Sequence, residues 1–436
     1  MKIGFYRWSD TDATTKARIL RRSAADIDDV IAKVRPIIDD VKARGDAALI
    51  DYAKKFDRAE LSSLIVSAEE FADAERTLDP AVKRAIDRCA GNVRKFHEEQ
   101  MNRVEREWMV EIEPGVFAGE KISPVTSVGL YVPGGKNQYP SAVYMLGIPA
   151  VIAGVNKIAM TTPPRPDGTI GNALLYAAKV SGISHVYKAG GAQAIAALAY
   201  GTDSVPAVKK VLGPGSPYVA AAKQLLGDII DPGMPAGPSE SIILCDGTAD
   251  PHNTILDILN EAEHGPDSAA LLVTHDETLA LYVRDNLPAA INALPEPQRG
   301  WLITNMENYS GVVFTGSLQE SIDFCNEYAT EHLLVKVEDV DAILPKLINA
   351  GEILIGESTP SSLGNFGIGV NHVLPTNGKA HSYSCTSVWD FLKRTSLARV
   401  TPAGLNALKD DVCTIAAYEG FPAHANVLRL RNLKNN

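Results

Sequence analysis

Residues 126–162 read TSVGLYVPGGKNQYPSAVYMLGIPAVIAGVNKIAMTT, and this stretch decides the fold class. Short apolar runs at 128–132 and 158–161 lie on either side of a longer apolar run at 142–153. Parallel strands that are buried on both faces are short and apolar, and a crossover helix joins them, so the stretch predicts a βαβ unit. Gly and Pro residues follow the first run, at the carboxyl end of the strand, where open α/β sheets bind their ligands.

The same alternation extends over most of the chain. We expect further strands at 186–188, 208–212, 242–245, 270–273, 311–314, 333–335 and 352–355. We expect further helices at 172–180, 192–199, 218–226, 251–264, 277–287 and 318–329. Helical periodicity also predicts helices at 28–53 and 80–100, followed by one or two strands at 108–118. The predicted fold is therefore α/β, with two Rossmann-like parallel-sheet domains and helical N-terminal and C-terminal extensions.

Size and charge limit the functions that are open to the chain. Its 436 residues exceed the length at which one hydrophobic core keeps growing, so more than one domain is expected. The net charge of −11 and the absence of a basic stripe argue against a nucleic-acid partner held through phosphate contacts. The sequence contains neither a G-x-G-x-x-G turn after an expected strand nor a G-x-x-x-x-G-K-[ST] phosphate loop.

Targeting signals and cysteine usage indicate a compartment. No apolar stretch approaches the roughly 18 residues that a membrane-spanning helix needs, and residues 1–8 lack the apolar core of a secretory signal. The five cysteines are far apart and form no C-x-x-C pair. We therefore expect a reduced, cytoplasmic protein without a membrane partner.

Histidines mark four chemically similar segments. Of the nine histidines, His264, His332, His372 and His424 each have an acid or an amide within seven residues. Any one of them alone is better interpreted as a satisfied core or surface residue. The four together favour a folded metal or acid/base site.

Two of these segments pair the histidine with a carboxylate. Glu261 and His264 are three residues apart near the end of an expected helix, so their side chains share a face. The pair is either half of a zinc or manganese site or a solvated ion pair. Glu331 and His332 lie where a helix gives way to a strand, which suits two separate proton-transfer roles.

The other two segments are expected to be irregular or terminal. Residues 363–376 carry Asn365 and His372 among glycines that are expected to prevent regular structure and to let the backbone approach a ligand. Glu419 and His424 lie in a C-terminal segment in which we expect no further strand. An interface or an active-site role is the prediction for that segment.

Six stretches of the chain together resemble the histidinol dehydrogenase family. In order they are VGLYVPGG (128–135), AGGAQAIAALAYGT (189–202), PAGPSE (235–240), AEHGPDS (262–268), EYATEHL (327–333) and NHVLPT (371–376). One such motif is weak evidence. Six in register over nearly the whole chain are specific to the family.

The resemblance implies a zinc- and NAD-dependent enzyme. Such an enzyme oxidises a primary alcohol through an aldehyde to a carboxylate, as in the conversion of L-histidinol to L-histidine in histidine biosynthesis, and two NAD molecules act in turn. The catalytic positions match Glu331 and His332. The NAD contacts match Tyr131, Gln193 and Ser216. The metal ligands match Glu261, His264, Asn365 and His424, and these four also border the substrate together with Ser239, His332, His372 and Glu419.

Three residues depart from the family's usual pattern. The family usually has Gln, Asp and Asn where this chain has Glu261, Asn365 and Ser216. The first two changes exchange an acid and an amide, so two histidines, one acid and one amide remain. The alternative that these changes support is a paralogous dehydrogenase acting on another small polar alcohol, such as 2,3-dihydroxypropane-1-sulfonate.

Two further alternatives come from other functional classes. A zinc hydrolase would also use histidines, acids and a metal-bound water, but two Rossmann-like halves argue against it. A non-catalytic binding protein descended from the enzyme is disfavoured because Glu331 and His332 are both retained.

The resemblance also implies a domain organisation. Residues 1–25 would form an N-terminal extension. Residues 26–130 and 240–386 would form a first α/β domain that carries the metal and catalytic residues, and residues 131–239 a second, NAD-binding one. Residues 387–436 would contact a dimer partner and complete its active site, so a homodimer with shared sites is expected.

Overall fold

The computed structural model describes residues 3–22, 28–134 and 138–431. Gly135, the last residue of the VGLYVPGG stretch, lies outside the described residues, as do the first two residues of the N-terminus. The chain forms two compact units. The first comprises Met1–Gln100 and Val125–Phe391, and the second comprises Met101–Pro124 and Leu392–Asn436.

Thirteen strands and seventeen helices are found in the described part of the chain. The strands are β1 Phe5–Arg7, β2 Glu107–Glu113, β3 Val116–Pro124, β4 Ser127–Tyr131, β5 Lys157–Thr162, β6 Val186–Lys188, β7 Lys210–Leu212, β8 Glu240–Cys245, β9 Ala269–Thr274, β10 Gly311–Phe314, β11 His332–Lys336, β12 Glu352–Ile355 and β13 Leu392–Val400. The helices are α1 Ala13–Arg21, α2 Asp28–Arg44, α3 Asp46–Tyr52, α4 Ala68–Thr77, α5 Pro80–Asn102, α6 Pro140–Ala153, α7 Asn172–Ser181, α8 Gly191–Tyr200, α9 Pro217–Leu225, α10 Pro251–Ala262, α11 Glu277–Asn292, α12 Gln298–Asn308, α13 Leu318–Tyr328, α14 Val340–Ile343, α15 Ser361–Phe366, α16 Pro402–Tyr418 and α17 Pro422–Arg429.

The larger sheet of the first unit is a six-stranded parallel sheet. Its strand order is β1-β10-β9-β8-β11-β12. From β8 the chain moves outward through β9 and β10, and it then returns to the other side of β8 for β11 and β12. The sheet therefore has a Rossmann-like switch point between β8 and β11.

The smaller sheet of the first unit repeats this plan with four parallel strands. Its order is β6-β5-β4-β7, so the chain reverses direction between β4 and β7. The two parallel sheets with their helices confirm the predicted α/β class and its Rossmann-like halves.

Both faces of the six-stranded sheet are buried, as the short apolar strands predict. Successive residues of one strand pack into different cores: Ile243 lies in one hydrophobic cluster, and its neighbours Ile242 and Leu244 lie in another. Helices cover both faces, and Asp250 and Ser317 cap α10 and α13 by accepting hydrogen bonds from backbone N–H groups.

The second unit corrects the prediction that the C-terminal segment has no strand. Strand β13 pairs antiparallel with β3, which pairs antiparallel with β2. Nearly all residues of β13 are exposed, on both faces. A strand without a buried face lacks the alternation of apolar and polar residues that reveals strands in a sequence. The helices α16 and α17 that follow it agree with the expected helical extension.

Three more details differ from the sequence predictions. Residues 363–366, expected to be irregular, belong to the short helix α15. Helix α12 was not predicted, and its buried residues are few. The helix expected at 28–53 is divided at Gly45, whose φ of +56° ends α2 and precedes α3.

The domain boundaries drawn from the sequence stay predictions. Both parallel sheets belong to one compact unit. Strand β4 and helix α2, which the expected boundary at 130 assigns largely to the first domain, belong to the four-stranded sheet and to its core, respectively. No helix among the described residues is long and apolar enough to cross a membrane.

The core of the four-stranded sheet gives a stability prediction. Leu130 is fully buried in β4, an inner strand. Leu130→Ala should lower the free energy of unfolding by about 2–5 kcal/mol, because it removes apolar contacts and leaves a cavity. Ile348→Ala is the control, since Ile348 is 72% exposed and a change there should stay within about 0.5 kcal/mol. Denaturant unfolding followed by circular dichroism measures both, and equal unfolding curves would contradict the assigned core.

Candidate active site

A buried cluster of two carboxylates and one imidazole lies in the first unit. Glu261, in the last turn of α10, meets Glu331 and His332, which lie at the start of β11. One ligand atom from each of the three lies within 4.8 Å of the others, and all three side chains are buried. Within the described residues, this is the group of acids and histidines whose spacing could hold a metal ion.

Strand register brings the cluster together. His332 lies opposite Ser241 of β8 and Glu352 of β12, because the three strands are parallel neighbours. The cluster therefore lies at the amino ends of these strands. The backbone N–H of Glu240 donates to Glu331 Oε2 at 3.1 Å, and His332 Nδ1 lies 2.6 Å from Glu352 Oε1.

Glu261 has the donor atoms that a cation requires. Its side chain is fully buried, and neither carboxylate oxygen has a hydrogen-bond partner among the described residues. His264 Nδ1 lies 3.6 Å from Glu261 Oε1 and 3.0 Å from the Glu261 carbonyl oxygen. An Nδ1–H that donates to this carbonyl leaves the Nε2 lone pair of His264 available to a ligand.

Burial and charge shift the titration of the cluster. Burial disfavours a charged imidazole, yet the carboxylates of Glu261, Glu331 and Glu352 outweigh it and raise the pKa of His332 to about 10. Burial raises the pKa of Glu331 well above its usual value. Burial lowers the pKa of His372 to about 4, so His372 is neutral at pH 7. A divalent cation would add the positive charge that this acidic cluster lacks.

Two cavities connect the cluster to the other parallel sheet. The smaller, of about 190 Å³, is lined in part by Ser239, His264, Glu331, His332, Asn365 and His372. The larger, of about 520 Å³, shares Ser239 and His264 with it and reaches Ser216. The structure thus brings together six expected site residues around one cavity and a seventh along its continuation.

The expected NAD contacts lie at the carboxyl ends of the four-stranded sheet. Tyr131 ends β4, and its hydroxyl oxygen accepts a hydrogen bond from the Gly191 N–H at 3.1 Å. Gln193 is buried in the first turn of α8, and Ser216 precedes α9. Gly213 has a φ of +123°, and a Cβ there would lie 1.9 Å from the Tyr131 carbonyl oxygen. Only glycine therefore fits beside β4 at this switch point.

Two expected site residues belong to the second unit. Glu419 is the C-cap residue that follows α16, His424 lies in α17, and both are exposed. The residues that line the two cavities all belong to the first unit.

Glu352 and Glu240 were not predicted as site residues from the sequence. Glu352 is the polar first residue of the otherwise apolar strand EILI, and Glu240 is the buried partner of Arg22 at 2.9 Å. The sequence signal that could have identified both residues is an acid at the start of an apolar strand. Its significance depends on strand order, which a single sequence does not reveal.

The fold and this cluster define an α/β enzyme with two parallel sheets and a buried acid–histidine site. Residues 20–432 match the family described as histidinol dehydrogenase. The chain belongs to the histidinol dehydrogenase family, whose members are oxidoreductases, and this confirms the resemblance seen in the sequence.

Similar proteins cover nearly the same length. The chain is 49% identical to a histidinol dehydrogenase of Synechocystis sp. over 95% of both proteins. It is 45% identical to a histidinol dehydrogenase homolog of Colwellia psychrerythraea over 98% of this chain and 96% of that protein. The crystal structure of histidinol dehydrogenase from Elizabethkingia anophelis superposes with a TM-score of 0.92 at 34% identity, covering 99% of this chain and 97% of that one.

The unpartnered Glu261 carboxylate leads to a metal-binding prediction. Glu261→Gln should weaken binding of Zn²⁺ or Mn²⁺ by about 10-fold or more, the scale seen even for groups that only support ligands. Asn365→Ala should weaken it less, because an amide oxygen carries no charge. Calorimetric titration of metal into the stripped protein measures each affinity.

Glu263→Gln is the matched control for this titration, since Glu263 is close in sequence but exposed. If Asn365→Ala binds the metal more weakly than Glu261→Gln does, Asn365 and not Glu261 is the principal oxygen ligand.

Proposed function

We propose that this chain is a zinc- and NAD-dependent dehydrogenase that oxidises a primary alcohol through an aldehyde to a carboxylate in two hydride transfers, with L-histidinol as substrate and L-histidine as product. The observation that carries the proposal is the Glu261–Glu331–His332 cluster, two members of which, Glu331 and His332, line a cavity continuing to Ser216. Membership of the histidinol dehydrogenase family supports the same reaction.

The donor atoms of the site fit a zinc ion. Glu261, His264 and Asn365 would hold it together with His424 of the partner subunit in the proposed homodimer, giving two imidazoles, one carboxylate and one amide. Both carboxylate oxygens of Glu261 are buried without a hydrogen-bond partner among the described residues, which supports this assignment. Zinc supplies a Lewis acid that polarises the alcohol oxygen and orients the substrate.

His332 is the proposed base for the alcohol. Its Nδ1 is engaged by Glu352, so Nε2 is the nitrogen left to accept the hydroxyl proton. The carboxylates alone raise the pKa of His332, and the positive charge of a zinc ion bound beside them would lower it again, so that the ring can act as a base. Tyr131, Gln193 and Ser216 would bind NAD, which supplies the hydride acceptor. These three residues lie at or near strand ends of the other sheet, so base and cofactor are held by different rigid elements.

Glu331 is the proposed base for the second half-reaction. Aldehyde oxidation needs a water molecule to add to the carbonyl carbon, and a carboxylate with a raised pKa is suited to take a proton from it. The N–H of Glu240 holds one oxygen of Glu331, and the other lies 3.8 Å from His332 Nε2. The two adjacent residues thereby serve successive steps at one place.

Substrate contacts are assigned to Ser239, His372 and Glu419. Ser239 and His372 line the smaller cavity, and the neutral His372 has an Nε2 without a partner among the described residues. Glu419 and His424 are exposed on the second unit, which agrees with a homodimer in which this unit completes the neighbouring site. All five cysteines are unpaired, as expected of a cytoplasmic enzyme.

A second candidate is a paralogous dehydrogenase for another small polar alcohol, such as 2,3-dihydroxypropane-1-sulfonate. The exchange of acid and amide between Glu261 and Asn365 favours it, because Asn365 lines the smaller cavity and Glu261 contacts Glu331 and His332, which line it too. The two candidates share the reaction and differ only in the alcohol.

The proposed roles of Glu331 and His332 predict separable half-reactions. His332→Asn should slow alcohol oxidation by roughly 10²–10⁴-fold, the usual contribution of a general base. Glu331→Gln should spare aldehyde formation and slow aldehyde oxidation, because only that step activates water. Stopped-flow NADH absorbance, starting from alcohol or from aldehyde, measures the two steps, and equal losses in both steps for both variants would show that the roles are wrongly divided.

The substrate is tested with zinc-loaded protein and NAD. Reduction of NAD should be fastest with L-histidinol among a panel of small diols and amino alcohols that includes 2,3-dihydroxypropane-1-sulfonate. Faster turnover of the sulfonate would establish the paralogous function. No reduction of NAD by any of the alcohols would refute the dehydrogenase proposal.

The double variant Glu261→Gln with Asn365→Asp restores the family's usual ligand pattern and serves as the matched comparison. It should retain histidinol activity if histidinol is the substrate. If the exchange serves another alcohol, it should gain histidinol activity and lose the other.

A further inference from the structure

Glu352 has no assigned role, yet its carboxylate is closer to the imidazole of His332 than the carboxylate of Glu331 is. Oε1 of Glu352 lies 2.6 Å from His332 Nδ1, whereas Glu331 Oε1 lies 3.8 Å from Nε2. Both side chains of the Glu352–His332 pair are almost fully buried, at 7% and 3% exposed. The residues are also register partners on adjacent parallel strands, so the backbone fixes their proximity.

The contact determines which imidazole nitrogen carries the proton. An ionised carboxylate only accepts hydrogen bonds, so Nδ1 must donate to Glu352. The lone pair of the neutral ring then lies on Nε2, the nitrogen on the side of Glu331 and the cavity. A hydrogen bond at one ring nitrogen commonly sets the tautomer and the task of the other.

Helix α15 leaves space for this carboxylate. A Cβ at Gly364 would lie 2.9 Å from Glu352 Oε1 and 3.3 Å from Oε2. Glycine is unfavourable inside a helix, so its presence at position 364 is explained by the Glu352 carboxylate for which it leaves space. Oε2 of Glu352 is buried without a hydrogen-bond partner among the described residues. The pairing with His332 is therefore the polar contact that the structure shows for this carboxylate.

We propose that Glu352 is a positioning residue for His332. It holds the ring as the Nδ1–H tautomer with Nε2 toward the alcohol, and it stabilises the imidazolium that forms when Nε2 takes the hydroxyl proton. The alcohol O–H bond breaks and an Nε2–H bond forms, while Nδ1–H stays hydrogen-bonded to Glu352. NAD, when bound, would accept the hydride that the alcohol carbon loses. This inference rests on the base role of His332 in the proposed function.

The test compares Glu352→Gln, His332→Asn and Glu357→Gln in zinc- and NAD-loaded protein. Glu357 is the matched control: it follows the same strand at its other end, is exposed, and pairs with Lys336 at 3.1 Å. The measured quantity is the ratio of the alcohol-oxidation rate to the aldehyde-oxidation rate within one preparation. A lower folded fraction reduces both rates equally and leaves this ratio unchanged.

Glu352→Gln should lower the alcohol rate by about 10- to 100-fold, as losses of supporting partners typically do, with KM for the alcohol and the aldehyde rate near wild type. Glu357→Gln should leave the ratio unchanged. Gly364→Ala should lower the ratio in the same direction, because the methyl group displaces the carboxylate without removing it. Zinc content is measured alongside, since Asn365 is adjacent.

A second readout does not depend on turnover. Nitrogen-15 NMR of zinc-loaded, histidine-labelled protein, with the His332 signals identified by their loss in His332→Asn, should show Nδ1 protonated and Nε2 unprotonated in the wild type. In Glu352→Gln the neutral amide can accept from Nδ1–H or donate to Nδ1, so the preference that the carboxylate imposes should be lost and Nε2–H should appear.

The outcomes separate this inference from the proposed function. If Glu352→Gln leaves the rate ratio and the tautomer unchanged while His332→Asn slows alcohol oxidation, the role of Glu352 is refuted and the base role of His332 stands. If His332→Asn leaves alcohol oxidation unchanged, the base role itself fails, and an unchanged Nδ1–H signal in Glu352→Gln would refute the tautomer assignment independently.

Discussion

The parallel pairing of β8, β11 and β12 is the constraint on which the site depends. It places the first residues of three strands, Glu240, His332 and Glu352, at one edge of the six-stranded sheet. This register sets two hydrogen bonds of the cluster, the one from the Glu240 N–H to Glu331 and the one between His332 and Glu352. A slip of one residue would turn His332 to the opposite face of the sheet.

The same pairing concentrates negative charge where water is scarce. Carboxylates of Glu261, Glu331 and Glu352 surround a single imidazole, and each of them is nearly or fully buried. Such a group is costly to bury unless a proton or a cation compensates it. Without a cation, burial raises the pKa of Glu331 and the carboxylates raise that of His332, so protons would offset the buried charge. The proposed zinc ion would offset it instead and leave both residues free to accept protons.

The fold was predictable because its strands are buried on both faces. Continuous apolar runs such as that of β4 identify parallel strands without knowledge of the partners. Most of the expected helices agree with the observed ones to within a few residues, apart from the one divided at Gly45 and the longer α11. Strand β13 lacks any buried face and left no such signal. Glu331 and His332 were found through motifs, whereas Glu352 was not, because its meaning arises only once β12 lies beside β11. Helix α15 was not predicted for the same reason. From the sequence, Gly364 indicates irregular structure, and its place in a helix is explained only by the Glu352 carboxylate beside it in the fold.

The two sheets present opposite ends to the shared cavities: the six-stranded sheet its amino ends, the four-stranded sheet its carboxyl ends. Residues that would handle the alcohol and residues that would hold the cofactor are thus carried by different sheets. A substitution at Asn365, which lines the smaller cavity, can therefore leave Gly213 and Tyr131 undisturbed. Under the proposed assignment, a change of alcohol would not require a change of electron acceptor.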